Sequence, residues 1–449
     1  MSTKNSLLSG IFLSILYALT ALVFYFAWSR EYAPIVDFSI ARLAMLLLFA
    51  PIILKYIFHL IIAPWYPAVE AARSRRRPTG YQPLVSVLIP AWNEEVGIEA
   101  TINSVLNTKY PKLEVIIVND GSTDRTHEVV TSFIARYRRN TAVLYERIPN
   151  GGKARALNCG LSMAHGEIVI TIDSDSVMDP HAIGNMVKHF TDPRVASVAG
   201  NVIIGNRTKF IGLIQQLEYV YGFYFKRADS LLNAVYIVGG AAAAYRKKVI
   251  DALGGFDEMV ITEDIELSTR LQNHGYHVRY AADAIVYTEG PSDFSGLCQQ
   301  RLRWKFGRLV TFYKYRRLFF SLRKHHNFYL SFFILPIALF AEILLFFEGI
   351  LLMVFYTYTF YTNDYVPLVF VIVLLATVIC LQILTDRNAR YHRNLLLLAP
   401  IAWLLFYFMD MVEYQALIRS IRRIITKKNI SWQRWVRVGI SIEDKAKDT

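Results

Sequence analysis

The sequence predicts an α/β domain, a mostly parallel sheet covered by helices, joined to an all-α transmembrane region. Three observations lead there. Long apolar runs flank a central stretch, residues 80–320, that lacks their continuous character. Within that stretch, short β-branched runs alternate with helical spacing, the pattern of a sheet built from βαβ units. Polar clusters follow those runs, at the carboxyl ends of strands where such sheets bind ligands.

Composition narrows the class. The 449 residues carry 49 Lys+Arg against 36 Asp+Glu, a formal charge of +13, with 54% hydrophobic and 19% charged residues. A mean hydropathy of +0.30 is too apolar for an ordinary soluble enzyme, and the length allows two or three domains. Disorder, collagen and disulfide scaffolds are excluded. Cys159, Cys298 and Cys380 have no metal-ligand spacing, so they read as reduced thiols facing the cytosol. The excess Lys and Arg gathers at the flanks of apolar runs, where membrane topology explains it, so nucleic acid is not an expected partner and anionic lipid is.

Leu7 to Trp28 is 22 residues without a charge, which exceeds the roughly 20 that span a bilayer. No small-residue cleavage site follows it, so it reads as an anchor rather than a signal peptide. Leu43 to Trp65 is a second span, with Lys55 and His59 near enough to its cytoplasmic end to snorkel. Arg73-Ser74-Arg75-Arg76-Arg77 then places that end, and the domain after it, in the cytoplasm. Hydrophobicity resumes at Phe328. Phe328 to Tyr361 is interrupted only by Glu342 and Glu348, Tyr365 to Thr385 is uncharged, and Leu395 to Met409 is uncharged up to Asp410. The linker Tyr356 to Tyr365 fits outside, and Asp386 to Asn394, with Arg387, Arg390 and Arg393, fits inside. Arg419, Arg422, Arg423, Lys427, Lys428, Arg434 and Arg437 also belong inside, so either the last block is re-entrant or a hairpin, or the 34-residue block crosses twice. Glu342, Glu348, Asp410 and Glu413 are costly there unless they face a cavity or a partner. Trp403, Tyr407 and the Tyr356 to Tyr361 cluster fit an interfacial belt.

In the soluble stretch, Leu84 to Ile89 is a strand ended by Pro90, and Leu113 to Val118 a strand ended by Asn119-Asp120-Gly121. Ser122-Thr123-Asp124 precedes a helix through Tyr137, Ala142 to Arg147 is a third strand and Ile168 to Ile172 a fourth. Neither GxGxxG nor GxxxxGK[ST] occurs, so a dinucleotide fingerprint and a P-loop are absent. Asp120 offers a carboxylate to a nucleobase or ribose, or simply makes a turn. Asn150-Gly151-Gly152-Lys153-Ala154-Arg155-Ala156-Leu157-Asn158 sets two glycines and two cations at a helix start, which favours an anion. Asp173-Ser174-Asp175 puts two hard oxygen donors just past a buried strand, the ligands that Mg²⁺ or Mn²⁺ needs while it also holds a diphosphate; a solvated acidic turn is the plainer alternative. Thr262-Glu263-Asp264 reads as a helix cap with acids in the first turn, or as a base that accepts a hydroxyl proton. Gln300, Arg303 and Trp304 share a helical face, with Arg suited to phosphate and Trp to a sugar ring. Phe210 to Leu232 and Trp304 to Phe320 are expected at the membrane surface.

Together and in this order, these motifs resemble the processive membrane glycosyltransferases of family 2, whose signature is D, DxD, TED and QxxRW. The resemblance spans about residues 84–320. It implies a GT-A fold that binds a UDP-sugar through Asp120, Glu94, Lys153 and Asp173. It also implies a Mg²⁺ or Mn²⁺ ion on Asp175 and Asp173, and Asp264 as base within Thr262-Glu263-Asp264. Gln300, Arg303, Trp304, Gly239 and Gly240 would face diphosphate and acceptor. Val238-Gly239-Gly240 and the two leading spans look most like the bacterial poly-β-1,6-N-acetylglucosamine synthases of biofilm formation. Those usually follow the Trp with a small residue, Gln and Gly, where this chain has Lys305-Phe306-Gly307. Chitin, hyaluronan and β-glucan synthases share every catalytic motif.

The expected organisation is two N-terminal transmembrane helices in residues 1–68 and a cytoplasmic catalytic domain in 69–320. C-terminal transmembrane helices occupy 321–418 and a basic cytoplasmic tail 419–449. The expected setting is the plasma (inner) membrane. Expected partners are the UDP-sugar, the growing polysaccharide, membrane lipids and a small accessory membrane subunit or export proteins. Rival readings are a non-processive transferase with a lipid-linked acceptor and a transporter with a degenerate nucleotide-binding domain.

Overall fold

The computed structural model describes residues 39–75, 80–207, 209–386, 388–428 and 439–440. The span expected at Leu7 to Trp28, and Arg76, Arg77, Arg387, Arg434 and Arg437, lie outside the described residues. The chain enters through α1 (Ser39–Ile62) and α2 (Tyr66–Arg75) and then builds the sheet. The first half alternates strictly: β1 (Val85–Ala91), α3 (Ile98–Leu106), β2 (Leu113–Asp120), α4 (Thr126–Arg136), β3 (Ala142–Ile148), α5 (Lys153–Met163) and β4 (Ile168–Thr171). The second half is β5 (Ser176–Met178), α6 (Ala182–Val187), β6 (Val195–Ile204), α7 (Phe210–Leu231), β7 (Ala243–Arg246), α8 (Lys247–Ala252), α9 (Glu263–Asn273), β8 (His277–Thr288) and α10 (Phe294–Lys314).

The eight strands form one sheet in the order β3-β2-β1-β4-β7-β6-β8-β5. Val, Ile and Leu occupy β1, β2 and β4 on both faces because helices cover both sides, so these strands are continuous apolar runs rather than alternating ones. β1 pairs in parallel with β2 and β4, β2 with β3, and β6 with β8, whereas β7 runs antiparallel to β4 and β6, and β5 to β8. The sheet is therefore mixed. The reversal of β7 matters for the site: Ala243 pairs with Thr171 at the carboxyl end of β4, which brings the preceding Gly239-Gly240 to that end. β1 continues through Pro90 instead of stopping there. Leu88 is the last β1 residue paired with β4, and the missing Pro90 N–H would have pointed past β4's end, so no ladder bond is lost.

After the domain, a π turn at Leu330–Ile334 leads straight into α11 (Leu335–Thr362), followed by α12 (Val366–Thr385) and α13 (Ala402–Ile425). Four helical stretches among the described residues are long and apolar enough to cross a membrane: Leu47–Arg75, Leu330–Thr362, Val366–Thr385 and Ala399–Ile425. The 34-residue block is one unbroken helical element, which removes the double crossing within it. The last block packs both on the soluble domain and on α12. Ala402 and Leu405 of α13 share an apolar cluster with Ile214, Leu217 and Leu297, and Ala416 packs with Leu302 and Phe306 of α10. Tyr391, in the connection before α13, donates to the Ile204 carbonyl at the end of β6.

Three further expectations are corrected. His59 does not snorkel: it is buried, with Nε2 2.9 Å from Asp229 of α7 and Nδ1 2.7 Å from the Lys55 carbonyl. Lys55 points into an internal cavity rather than towards a membrane edge. Of the basic residues after Trp304, Lys305 and Arg308 are turned inward, because carboxylates from α11 and α13 meet them there, whereas Lys314, Arg316 and Arg317 are exposed.

Candidate active site

The carboxyl ends of β1, β2, β3 and β4 deliver the polar residues to one rim. Two loops are locked together first. Asn93, at φ 57°, accepts from the Thr123 and Asp124 N–H groups through Oδ1, and its own N–H donates to Ser122 Oγ at 2.9 Å. The Glu94 N–H donates to Thr126 Oγ1 at 2.9 Å, which fixes the half-turn that carries the buried Glu94. Asp120 Oδ1 and Oδ2 accept from the Gly151 and Gly152 N–H groups, each at 2.8 Å. Asn150 Nδ2 donates to the Asp120 carbonyl and carboxylate. Asp120 thus shapes the glycine loop ahead of α5. Gly121 (φ +66°) has no room for a side chain, since a Cβ would lie 2.7 Å from the Asn150 nitrogen.

Lys153, the first residue of α5, links two motifs far apart in sequence. Its Nζ lies 2.5 Å from Asp173 and 3.1 Å from Glu263. Burial disfavours its charge, yet Asp173, Glu263 and Asp264 outweigh that and hold the ammonium above its ordinary range. Asp175 is buried, with Ser176 Oγ 3.1 Å and Thr288 Oγ1 3.4 Å from its Oδ1. The Ser174 carbonyl is pinned by Thr101 Oγ1 at 2.8 Å. No cluster of three or more His, Cys, Asp or Glu side chains able to hold a metal occurs among the described residues. Asp173 and Asp175 are hard carboxylates, the donor type suited to an ion that completes its shell with water and substrate phosphate rather than a protein-only cage.

Asp264 sits in the first turn of α9 and faces the same cavity. Oδ2 accepts from the Gly240 N–H at 2.7 Å and Oδ1 from the Ile265 N–H at 2.8 Å. Burial, then the neighbouring Glu263 charge, pushes it up to about 6. Gly240 has a physical reason to be glycine, because a Cβ there would stand 2.7 Å from Lys153 Nζ and 3.3 Å from Asp264 Oδ2. Thr262 occupies the N-cap position but makes no side-chain cap. Its buried Oγ1 has no hydrogen-bond partner and rests instead against Gly307.

α10 forms the opposite wall, started by Asp293, whose side chain accepts from the Gly296 N–H at 2.8 Å. Gln300, Arg303 and Trp304 line the cavity as their spacing required. The Arg301 guanidinium lies 4.5 Å over the Trp304 ring and forms a bidentate pair with Glu218 of α7, 2.6 Å at both contacts. Lys305 reaches Glu342 of α11 at 2.8 Å and Glu413 of α13 at 2.6 Å, and Arg308 reaches Glu342 at 3.1 Å. Acids isolated in apolar runs are costly, and two of them are answered by cations of the helix that carries Trp304. Sequence reading missed this pairing, although Arg301, Lys305 and Arg308 at i, i+4 and i+7 were visible on one face. It also missed Asn93, whose only signal was its place after a strand. One cavity of about 2010 Å³ runs from Asp120, Asp173 and Asp264 past Trp304 to Trp403 and Tyr407 between the membrane helices.

Comparison with known proteins agrees with this geometry. Residues 82–307 match the family described as glycosyltransferase like family 2. The chain is 35% identical over 225 residues to a poly-beta-1,6-N-acetyl-D-glucosamine synthase of Staphylococcus aureus strain COL, covering 50% of this chain and 54% of that protein. It is 35% identical over 227 residues, with the same coverage, to the synthase of the same name from Staphylococcus epidermidis. The alignments thus span about half the length of these curated relatives. Among solved structures, a mannosyltransferase from Pyrobaculum calidifontis in complex with GDP-Man and Mn²⁺ superposes with TM-score 0.52 at 23% identity, over 85% of this chain and 100% of that one. That likeness establishes a GT-A-like fold. With a matched segment that carries Asp120, Asp173-Ser174-Asp175, Thr262-Glu263-Asp264 and Gln300-Arg301-Leu302-Arg303-Trp304, the chain is a membrane protein that belongs to the glycosyltransferase-like family 2.

Proposed function

We propose that the chain is an inverting membrane glycosyltransferase that extends a β-linked polysaccharide from a UDP-sugar, with UDP-N-acetylglucosamine as donor and a β-1,6 linkage. The carrying observation is the single cavity that holds all four motifs and continues between the apolar helices. The acceptor hydroxyl attacks C1 of the donor and forms the new C1–O bond. The C1–O bond to the diphosphate breaks with its electron pair, and Asp264 takes the hydroxyl proton. A carboxyl raised to about 6 is charged at neutral pH and basic enough to accept it. Asp175 and Asp173 would hold Mg²⁺ or Mn²⁺, which supplies charge neutralisation to the departing diphosphate. Lys153 keeps a positive charge beside Asp173, and the free face of Trp304 offers a platform for the acceptor sugar. A polar chain cannot cross hydrocarbon unassisted, so the cavity's continuation supports export of the product between α11, α12 and α13.

The same reading sets the topology. α11 and α12 cross the bilayer while α13 remains against the domain, which keeps the basic tail and the catalytic domain together on the cytoplasmic face. A small accessory membrane subunit or export proteins would act at the far side. The test is incorporation from labelled UDP-GlcNAc, UDP-Glc and UDP-GlcA by the purified full chain in detergent with Mg²⁺ or Mn²⁺. High-mass product from UDP-GlcNAc alone, cleaved by a β-1,6-specific glucosaminidase, is the expected result. An α-linked product, or short lipid-soluble products from every donor, would overturn it.

A further inference from the structure

α9 meets the helix that carries Trp304 at two points. The first is Thr262 against Gly307, in the middle of α10. The second is Glu266, one turn further along α9 and fully buried. Its Oε1 accepts from Lys314 Nζ and from the Tyr315 hydroxyl, each at 2.5 Å. Lys314 is the last residue of α10 and Tyr315 its C-cap. The Arg270 guanidinium stands 3.0 Å from Glu266 Oε2 and donates to the Leu253 and Gly255 carbonyls, each at 2.6 Å. Lys314 also meets Asp257 at 2.5 Å. Two carboxylates thus face two cations, which compensates the burial of Glu266. The loop that holds Arg270 is tied to α5, because Asn158 donates to the Phe256 carbonyl at 2.9 Å and accepts from the Phe256 N–H at 2.8 Å. Glu266 therefore joins α5, which starts with Lys153, to α9, which carries Asp264, and α10, which carries Trp304.

Its place gives it leverage rather than contact with substrate. Glu266 lies outside the lining of the cavity, so an effect on transfer has to run through Asp264. That residue belongs to the same first turn, which the Glu266 N–H closes on the Thr262 carbonyl at 3.1 Å. Two helices joined at a single contact can pivot about it. A second contact, about 6 Å further along α9 and about 11 Å further along α10 at 1.5 Å per residue, fixes the angle as well as the distance. Trp304 and Gly307 share one face of α10 by their i, i+3 spacing, so this angle decides how Asp264 faces the Trp304 ring. We propose that Glu266 is a positioning residue for sugar transfer: by clamping the C-terminal end of α10, it holds Asp264 in line with an acceptor sugar on Trp304. This rests on the reading of Asp264 as base, and goes beyond it in assigning a residue that touches neither donor nor acceptor.

The experiment uses the full chain in detergent, with incorporation resolved into kcat and KM across pH and the folded fraction followed by thermal melting. Tyr315→Phe removes one hydroxyl and no charge, and its kcat is expected to fall about tenfold with the donor KM within about twofold. Glu266→Gln is expected to lose about 10²-fold in kcat. Adding Tyr315→Phe to it should cost little more, since both act through one contact. In both single variants the acid limb of kcat/KM should move from its wild-type position, because Glu263, Lys153 and the Gly240 N–H would face Asp264 at altered distances. A residue that only stabilises the fold would lower the folded fraction and leave that limb in place. Should Glu266→Gln fail to fold, Tyr315→Phe decides alone, since it keeps every charge. Unchanged kcat in Tyr315→Phe, additive losses in the double variant, or a loss that tracks the folded fraction with the limb unmoved would overturn the proposal. A wild-type profile without an acid limb would remove Asp264 as base and take the proposal with it, and is told apart because it shows before any substitution is made.

Discussion

Gly307→Ala tests whether the contact between α10 and the Thr262-Glu263-Asp264 turn matters for catalysis. A Cβ at Gly307 would stand 2.0 Å from Thr262 Oγ1, 2.5 Å from its Cγ2 and 2.7 Å from its Cβ, where ordinary contact starts at 3.4 Å. The turn or the helix must retreat by about 1.4 Å, the difference between 3.4 and 2.0 Å. Overpacking of this kind costs about 1–3 kcal/mol, and replacing a mid-helix Gly by Ala returns about 1 kcal/mol. Net destabilisation is therefore about 0–2 kcal/mol, small enough for the protein to fold. Activity should fall much further, since a displacement of about 1 Å in a reacting group costs about 10²-fold. Thr262→Ala removes the two shortest contacts and no hydrogen bond, so Gly307→Ala/Thr262→Ala should recover part of the lost kcat. Sugar incorporation with kcat and KM resolved, alongside thermal melting in detergent, decides it. Activity within about twofold of wild type, or a loss no larger than the loss of folded protein, would refute the argument.

Asp264→Asn should reduce transfer by about 10²–10⁴-fold. In wild type, kcat/KM should rise with pH through about 6, and a flat profile would remove Asp264 as base. The stability sign is opposite: a carboxyl whose folded value is raised stabilises the fold at low pH and loses that contribution as pH rises through about 6, so Asp264→Asn should melt no lower than wild type at pH 7. Lys305→Met leaves Glu413 and Glu342 under-compensated at a cost of about 3 kcal/mol, and adding Glu413→Gln should restore most of the melting temperature. Chelation should stop incorporation and Mn²⁺ or Mg²⁺ restore it, with Asp175→Asn raising the metal concentration needed for half activity by about tenfold or more; full activity after chelation would refute the metal assignment. Gly240→Ala should leave the fold intact but displace Lys153, seen as a raised KM for the donor.

The sequence disclosed the parallel half of the sheet because continuous β-branched runs and short helices are local signals. It disclosed Asp120 and Asp173-Ser174-Asp175 because they sit where strands end, Thr262-Glu263-Asp264 because it opens a helix, and Gln300, Arg303 and Trp304 through their helical spacing. The antiparallel return of β7 was not legible, since Ala243–Arg246 is four residues with no pattern, and with it went the reason Gly240 touches Asp264. Asp120 illustrates a different limit. Its residue type suggested a ligand contact, and both carboxylate oxygens also shape the Asn150–Gly152 loop, a long-range pairing that no window of sequence contains. The lone acids Glu342 and Glu413 announced a need for partners but not which helix would supply them.

The packing of α13 along α10 has a consequence for how relatives may be recombined. A cut after the soluble domain, near residue 320, would separate Arg301 and Lys305 from Glu413 and Leu302 from Ala416, contacts between segments about a hundred residues apart. A hybrid that takes its catalytic domain from one parent and its final helix from another would inherit mismatched charges along the helix that carries Trp304. The natural unit of exchange is the catalytic domain together with α13, so specificity-swapping libraries in this family should carry that distant helix as part of the insert.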